Sequence, residues 1–197
     1  MSTQGYAKDF SSVQAYAARF DSSARDAWQK PAEVVRLMGL QPGHSVADVG
    51  AGTGYFLGAL SKAVGPGGQV LALDTEPNMV RYMQQRARDE GWERVEVRLV
   101  AADAPGLAPR SVDRVLIVNT WHHISDRTLY ARALREALRE GGALVIVDFT
   151  SESDLGPPQK HRLTPLQVID ELSAAGFETR AVEETLPKQY IVIGVAP

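Results

Sequence analysis

Histidines near the middle of the chain are the first candidates for chemistry. His122 and His123 stand side by side, and His161 lies further along. Imidazole titrates near neutral pH, so a histidine in a reactive site can take a proton from a bound substrate. The three are therefore candidate catalytic residues, with His122 ahead of His123. The alternative is that they hydrogen-bond loop backbone or orient a substrate without taking a proton.

The same histidines, together with Asp148, raise the hypothesis of a metal site, because neutral imidazole and carboxylate suit divalent ions. Adjacent histidines such as His122 and His123 rarely both point at one ion, so we expect no metal. The chain has no cysteine, which excludes disulfides, thiolate metal sites and a cysteine nucleophile.

A second group of residues surrounds the glycines Gly50, Gly52 and Gly54. Glycine is needed where backbone turns tightly and comes close to a ligand, since a Cβ atom there would clash. An apolar run precedes these glycines and a helical run follows them. This order forms the mouth of a nucleotide site in open α/β sheets, although an ordinary strand–helix turn is the alternative.

The spacing of the glycine loop separates two classes of nucleotide site. The dinucleotide fingerprint G-x-G-x-x-G, started at Gly50, needs a third glycine where Tyr55 stands. The observed spacing is G-x-G-x-G, with Asp48 two residues before the first glycine. Asp74 ends the next apolar run, where one carboxylate can accept hydrogen bonds from two ribose hydroxyls.

Apolar runs and turn residues predict the elements that position these side chains. The predicted strands are residues 46–49, 69–73, 95–100, 112–119, 143–149, 177–186 and 189–195. The connection between the last two strands is so short that it allows an antiparallel pair but not a parallel crossover. A strand–helix alternation repeated five times predicts an α/β fold with a mostly parallel sheet and helices on both faces.

Two helix starts are predicted from capping residues. Ser125 can cap a helix that runs to Glu140, with Leu129, Ala133 and Ala137 along one apolar stripe and Leu134 and Leu138 beside it. The stretch 164–167, Thr-Pro-Leu-Gln, has the spacing of a capping box ahead of a helix lined by Leu166, Ile169 and Leu172. Both helices should pack on the sheet.

Residues 1–30 are predicted to form a helical extension ahead of a domain of residues 31–197. The apolar residues of the extension fall at helical spacing: Phe10, Val13, Ala17 and Phe20. The extension either packs on the domain or forms a lid over bound ligands.

The glycine loop, with Asp48 before it and Asp74 after it, resembles motif I and the ribose-binding acid of the class I S-adenosylmethionine (SAM)-dependent methyltransferases. The order of elements is also similar to their Rossmann-like, doubly wound, seven-stranded sheet with an antiparallel C-terminal strand. This likeness covers nearly all of residues 31–197. The stretches Arg-Asp-Ala-Trp-Gln-Lys-Pro, Trp-His-His and Gly-Pro-Pro…His-Arg resemble a broad group of small bacterial methyltransferases, which does not fix a substrate.

The resemblance implies a methyltransferase with SAM as cofactor and S-adenosylhomocysteine as product. It also implies that Asp103, after the third strand, accepts a hydrogen bond from the adenine amino group, although a capping or turn aspartate is the alternative. The predicted cofactor-binding residues are Asp48, Gly50, Ala51, Gly52, Thr53, Gly54, Tyr55, Asp74, Thr75, Asp103, Ala104 and Asn119.

The acceptor is expected beside the loop after the fourth strand, because ligands of such sheets bind where the first and fourth strands diverge. Trp28, Trp121 and His122 are the predicted substrate residues, with a core position as the alternative for Trp121. A general base is needed only if the acceptor holds a proton that must leave.

Charge and motifs favour a small-molecule acceptor. The net charge of −3 gives no electrostatic reason to expect nucleic acid. The stretch Asn-Thr-Trp-His that begins at Asn119 does not match the Asp/Asn-Pro-Pro-aromatic motif used for nucleobase amines. No signal peptide or membrane-spanning run is visible, so we expect a cytoplasmic protein without a membrane partner, as a monomer or homodimer.

Two other functions compete with methyl transfer. A non-catalytic SAM-binding or regulatory module would share the glycine loop. An NAD(P)-dependent oxidoreductase would use a similar sheet, but Tyr55 at the third glycine position and the closing strand pair count against it.

Overall fold

A seven-stranded sheet forms the centre of the computed structural model, which describes residues 13, 16–17 and 21–197. The strands are β1 (Ser45–Val49), β2 (Gln69–Asp74), β3 (Val95–Leu99), β4 (Val112–Val118), β5 (Leu138–Phe149), β6 (Glu178–Ala181) and β7 (Gln189–Val195). Their order across the sheet is β3-β2-β1-β4-β5-β7-β6. Only β7 runs against its neighbours β5 and β6, and the other pairs are parallel. The predicted mostly parallel α/β sheet with an antiparallel C-terminal strand is confirmed.

The helices cover both faces of the sheet. Those of the described residues are α1 (Asp26–Gln29), α2 (Pro31–Leu37), α3 (Leu57–Val64), α4 (Pro77–Asp89), α5 (Arg127–Ala137) and α6 (Pro165–Ala174). One core cluster joins the sheet to α2, α3 and α4, and the other joins it to α5 and α6. The sheet is therefore doubly wound, as predicted.

The central strands alternate between these two clusters. In β4, Val115 and Ile117 belong to one cluster, whereas Leu116 and Val118 belong to the other. Successive side chains of a strand point to opposite faces, so a strand buried on both faces reads as a continuous apolar run. With both faces covered, the loops at the carboxyl ends of the strands are where a ligand can enter.

The strand–helix alternation occurs four times rather than the predicted five. Residues 100–111, between β3 and β4, contain turns but no helix. Val100 and Leu107 pack against the core cluster that α5 and α6 also cover. The irregular segment between β3 and β4 thus covers apolar surface of the sheet.

Helix α5 begins one residue later than predicted. Asp126, not Ser125, is its cap, since the Oδ1 atom of Asp126 accepts from the Leu129 N–H at 3.0 Å. Of the predicted apolar residues, Leu129 is 59% exposed, whereas Leu134, Ala137 and Leu138 are buried together with Tyr130. The predicted stripe was therefore wrong at Leu129 and confirmed at Ala137 and at its neighbours Leu134 and Leu138. The helix also ends before Glu140, because β5 starts at residue 138.

The capping box of α6 is confirmed. The Thr164 hydroxyl accepts from the Gln167 N–H at 3.2 Å, and the Gln167 side chain accepts from the Thr164 N–H at 2.8 Å. Leu172 is buried and Ile169 packs against the core, as predicted, whereas Leu166 is 66% exposed and Val168 completes the buried face.

The predicted amphipathic helix of the extension falls largely outside the described residues, which include neither Phe10 nor Phe20. Val13 and Ala17 are helical and buried. Among the described helices, none has the length and apolar character needed to cross a membrane.

Candidate cofactor and acceptor site

The glycine loop connects β1 to α3, and all three of its glycines have positive φ, between 60° and 80°. A Cβ atom on Gly50 would lie 2.4 Å from the Thr120 side chain, and one on Gly54 would lie 2.7 Å from Leu57. A Cβ atom on Gly52 would meet nothing within 4 Å. The outer glycines are thus required by packing, whereas the middle one borders open space.

Asp74, the last residue of β2, is held against this loop. Its Oδ2 atom accepts from the Gly52 N–H at 2.8 Å, and its Oδ1 atom accepts from the Glu76 N–H at 2.9 Å. Burial raises the pKa of Asp74, and the bonds from backbone N–H groups oppose that rise. Each carboxylate oxygen has a second lone pair, so Asp74 can hold the loop and accept from ribose hydroxyls together.

Asp48 is a buried carboxyl on β1, with 3% of its surface exposed. Burial raises its pKa to about 7; the positive charge of Arg25 opposes this rise and the nearby Asp74 adds to it. Among the residues that the structure describes, none donates a hydrogen bond to Asp48. A buried carboxyl without a donor is a suitable partner for a cationic ligand group.

Residues 21–30, which we call the N-terminal segment, lie against the glycine loop. The Thr53 hydroxyl donates to Oδ1 of Asp21 at 2.8 Å. Arg86 of α4 pairs with the same oxygen at 3.0 Å and also donates to the Thr53 carbonyl at 3.0 Å. The segment is therefore fastened to the loop through a charged group and a buried hydroxyl.

A cationic side chain of the segment lies over the end of the loop. The guanidinium carbon of Arg25 is 3.9 Å from the centre of the Tyr55 ring and 5.8 Å from that of Trp28. Its Nη2 atom donates to the Gln29 Oε1 atom at 3.1 Å. The Tyr55 hydroxyl donates to Asp26, so the ring beneath the guanidinium is also fixed.

Three carboxamides, which we call the amide ring, join the segment to the ends of two strands. Gln29 donates to Gln189 at 2.5 Å, Gln189 donates to Asn119 at 2.5 Å, and Asn119 donates to Gln29 at 3.3 Å. Gln29 and Gln189 are completely or almost completely buried. Sequence patterns missed both glutamines, because they lie far apart in the chain and match no motif. Asn119, a predicted cofactor residue, directs its side chain into this ring.

His122 is paired with an acid. Its Nδ1 atom lies 2.9 Å from both carboxylate oxygens of Asp148, and the two side chains are only 5% and 3% exposed. The Phe149 N–H donates to the Oδ1 atom as well, at 2.9 Å. Because a carboxylate only accepts, Nδ1 carries the hydrogen, and the Nε2 atom of neutral His122 keeps a lone pair. The sequence had considered Asp148 only as a metal ligand.

The other two histidines are placed differently. His123 is exposed, with its ring centre 4.2 Å from that of His122. His161 is exposed, and its side chain makes no hydrogen bond or ion pair with the described residues. The structure thus does not bring His161 into the His122–Asp148 pair. The part of the chain described here holds no group of three or more side chains suited to a metal ion.

The two tryptophans predicted to contact substrate lie in different environments. Trp121 is fully buried in the core, and its indole N–H donates to Glu171 at 2.8 Å. It has the core role that was the alternative, so we correct its assignment as a substrate wall. Trp28 is half-buried, and its ring centre lies 5.9 Å from that of Phe149 at the end of β5. It remains a candidate wall for the acceptor.

The outer predicted cofactor residues are accessible. Thr75 is exposed directly after Asp74, and Asp103 and Ala104 are exposed in the turn after β3. Since β3 and β2 are adjacent, these residues lie at one edge of the same mouth. The adenine role of Asp103 stays a prediction.

Comparison with known proteins identifies the family. Residues 40–183 match the family described as methyltransferase domain. The structure resembles a SAM-dependent methyltransferase from Aquifex aeolicus, with 29% identity and a TM-score of 0.87, over 93% of this chain and 98% of that protein. The chain belongs to the class I SAM-dependent methyltransferases, and the cofactor of this family is SAM.

Two curated relatives have different acceptors in their names. One is the ubiquinone/menaquinone biosynthesis C-methyltransferase UbiE of Pasteurella multocida, 31% identical over 57% of this chain and 42% of the relative. Another is the protein-L-isoaspartate O-methyltransferase of Methanopyrus kandleri, 28% identical over 57% of this chain and 48% of the relative. The chain thus spans about half the length of these two proteins.

The residues at the mouth fit SAM. Open space above Gly52 admits a ligand close to the backbone. Asp74 has lone pairs that could accept from ribose hydroxyls, and the buried carboxyl of Asp48 would suit the ammonium group of the methionine part. These three positions agree in chemistry with an adenosyl group that carries a charged amino acid.

Proposed function

We propose that this protein transfers the methyl group of SAM to a small molecule that carries a weakly acidic proton. The observation that carries this proposal is the buried His122–Asp148 pair, which lies just after β4 and at the end of β5. Thr120, two residues before His122, directs its hydroxyl to the Gly50 carbonyl at 3.5 Å, so the pair and the loop share one end of the sheet.

When bound, SAM supplies a methyl group on a sulfonium, a good leaving group for in-line displacement. Much of the rate then comes from the position of the acceptor. His122 takes the acceptor proton on Nε2 as the new bond to the methyl carbon forms. Asp148 holds the ring in the required tautomer and stabilises the positive charge that the ring gains. Hydroxyl, amine and activated carbon acceptors all suit such a base.

The aromatic rings at the end of β5 favour an apolar acceptor of modest size. Trp28 and Phe149 place two aromatic rings beside the carboxyl end of β5. A ring-shaped acceptor with an acidic hydroxyl would suit both the rings and the base. The name of the Pasteurella relative, a C-methyltransferase of quinone biosynthesis, agrees with this class, whereas the isoaspartate enzyme is named for a protein substrate.

The cofactor roles that we propose follow the chemistry of each group. Asp74 accepts from the ribose hydroxyls, Asp48 accepts from the ammonium group, and Asp103 accepts from the adenine amino group. Replacing Asp74 with alanine should weaken SAM binding greatly, and it should also free the Gly52 N–H that Asp74 now binds. Unchanged affinity in isothermal titration would contradict the ribose assignment.

The proposed function is tested by screening phenols, enols and amines with SAM, and by detecting a mass gain of one methyl together with S-adenosylhomocysteine. With an acceptor in hand, His122→Gln should lower kcat by roughly 100- to 10,000-fold, the range for loss of a general base. SAM affinity should change little.

His123→Gln is the matched control, since it alters an exposed neighbour of the same type. Equal losses in the two variants would contradict the role of His122. Tight SAM binding without transfer to any acceptor pool would instead favour the non-catalytic module.

A further inference from the structure

Arg25 occupies a position for which the family and the proposed function give no role. It ends the short 3-10 turn Ser23–Arg25 of the N-terminal segment. Its guanidinium carbon lies 3.9 Å from the centre of the Tyr55 ring, and Tyr55 directly follows the last glycine of the loop. A side chain from outside residues 31–197 thus places positive charge at the methionine end of the predicted cofactor site.

The contacts around Arg25 fix this position. Gln29 accepts from its Nη2 atom at 3.1 Å, and Gln29 is itself held in the amide ring. Asp26 accepts from the Tyr55 hydroxyl, which holds the ring below the guanidinium. Asp21, at the start of the segment, accepts a hydrogen bond from the Thr53 hydroxyl and so holds the segment on the glycine loop. The guanidinium is therefore ordered before a ligand arrives, which reduces the entropy cost of binding.

The negative charges around the glycine loop favour a cation such as the Arg25 guanidinium beside the ligand. The amino acid end of SAM carries one ammonium and one carboxylate. Asp48 can pair with the ammonium. The carboxylate then needs a cation of its own, because the acids Asp21 and Asp26 also lie within electrostatic range of Arg25. A buried charge without a partner is costly, and a guanidinium matches a carboxylate with two parallel hydrogen bonds.

The other guanidinium at the loop is already engaged. Arg86 binds the Asp21 carboxylate and the Thr53 carbonyl, and it lies 5.5 Å from the Trp92 ring. Arg86 is therefore a structural link between α4 and the segment. Burial raises the pKa of Asp48 and the positive charge of Arg25 opposes this rise, so Arg25 lies near the carboxyl proposed to pair with the ammonium of the ligand.

We propose that Arg25 binds the α-carboxylate of SAM, so that the N-terminal segment supplies part of the cofactor site. This inference rests on the proposed use of SAM. It assigns the two charges of the methionine part to two residues, the ammonium to Asp48 and the carboxylate to Arg25.

The test compares SAM with decarboxylated SAM, which lacks only the carboxylate, by isothermal titration. Wild-type protein should bind SAM about 10- to 100-fold more tightly, the contribution of a charge-assisted hydrogen-bonded pair. Arg25→Gln should lose most of that preference while it binds decarboxylated SAM nearly as wild type does. Arg25→Lys, which keeps the charge but not the paired donors, should retain an intermediate preference.

Arg86→Gln is the matched control, because it loosens the same segment without touching the proposed carboxylate contact. It should weaken both ligands by the same factor. If Arg25→Gln also weakens both ligands equally, or tightens SAM binding, the carboxylate assignment is wrong. If wild-type protein binds SAM but shows no preference over the decarboxylated form, it is wrong as well. Absence of SAM binding to wild type would overturn the proposed function itself.

Discussion

Asp48 shows a conflict between stability and ligand binding. Its carboxyl is buried without a hydrogen-bond donor among the described residues, and its pKa is raised to about 7. Between about pH 4 and pH 7 the native protein keeps this proton while the unfolded chain has lost it. Asp48 therefore lowers the free energy of unfolding as the pH rises through this window, and the full penalty remains above pH 7.

Replacement of Asp48 by asparagine should remove this penalty. At pH 8 and without ligand, we expect the free energy of unfolding to rise by on the order of 2 kcal/mol, with little change at pH 3. Affinity for SAM should fall at the same time, since the ammonium loses its ionised partner. Urea unfolding at both pH values and titration with SAM check the two halves. A variant that is less stable at pH 8 would show that Arg25 already compensates the charge.

In the glycine loop, single substitutions can distinguish glycines needed for packing from a glycine needed for ligand contact. Gly50→Ala should destabilise the fold by about 2 kcal/mol or more, because its Cβ atom would overlap the Thr120 side chain. Gly52→Ala meets no protein atom, so it should cost only about 1 kcal/mol for its positive φ. It should nevertheless abolish SAM binding by filling the open space. Thermal unfolding and SAM titration of both variants test this; retained SAM binding in Gly52→Ala would contradict the placement of the cofactor.

At the scale of elements, the amide ring couples the N-terminal segment to β4 and β7. Gln189→Leu removes one member and leaves polar atoms of Gln29 and Asn119 without partners. We expect a loss of about 1–3 kcal/mol in the free energy of unfolding and faster hydrogen exchange in residues 21–30.

Gln69→Leu is the control, since Gln69 is exposed and its amide only reaches Glu96. Its hydrogen exchange in residues 21–30 should match wild type. Unchanged exchange in Gln189→Leu would mean that the ring does not hold the segment.

The elements that were predicted correctly are those whose defining interactions lie close together in the sequence. The capping box at Thr164 was predicted correctly, because all of its bonds lie within four residues. The cap of α5 was not, because Asp126 and Ser125 are both good caps and tertiary packing chose between them. Between β3 and β4, two apolar side chains of residues 100–111 cover the sheet without a helix, so the strand–helix alternation falls one short of the predicted five.

At the scale of the whole molecule, the predicted division at residue 30 is open to test. The N-terminal segment forms hydrogen bonds with Thr53, Asn119 and Gln189, which belong to the domain of residues 31–197. A chain that starts at residue 31 should keep the circular dichroism of the seven-stranded fold. Its melting temperature should fall by several degrees, and its SAM affinity should fall at least as much as in Arg25→Gln. Wild-type affinity in the truncated chain would show that residues 1–30 are not part of the cofactor site.

The sequence by itself determined the glycine loop, the acids Asp48 and Asp74, and the order of the strands. These features depend on short-range rules: glycine where φ is positive, acids at strand ends, and apolar runs for strands buried on both faces. They were sufficient to predict the sheet and a nucleotide site, and the class of cofactor followed from their resemblance to the class I SAM-dependent methyltransferases.

Tertiary structure alone decided which side chains meet. His122 pairs with Asp148 because β4 lies beside β5, and Gln29 reaches Gln189 because β7 inserts between β5 and β6. Trp121, next to His122 in the chain, is directed into the core instead. Such pairings depend on strand order and on the direction of each side chain at a strand end, and neither leaves a local pattern in the sequence.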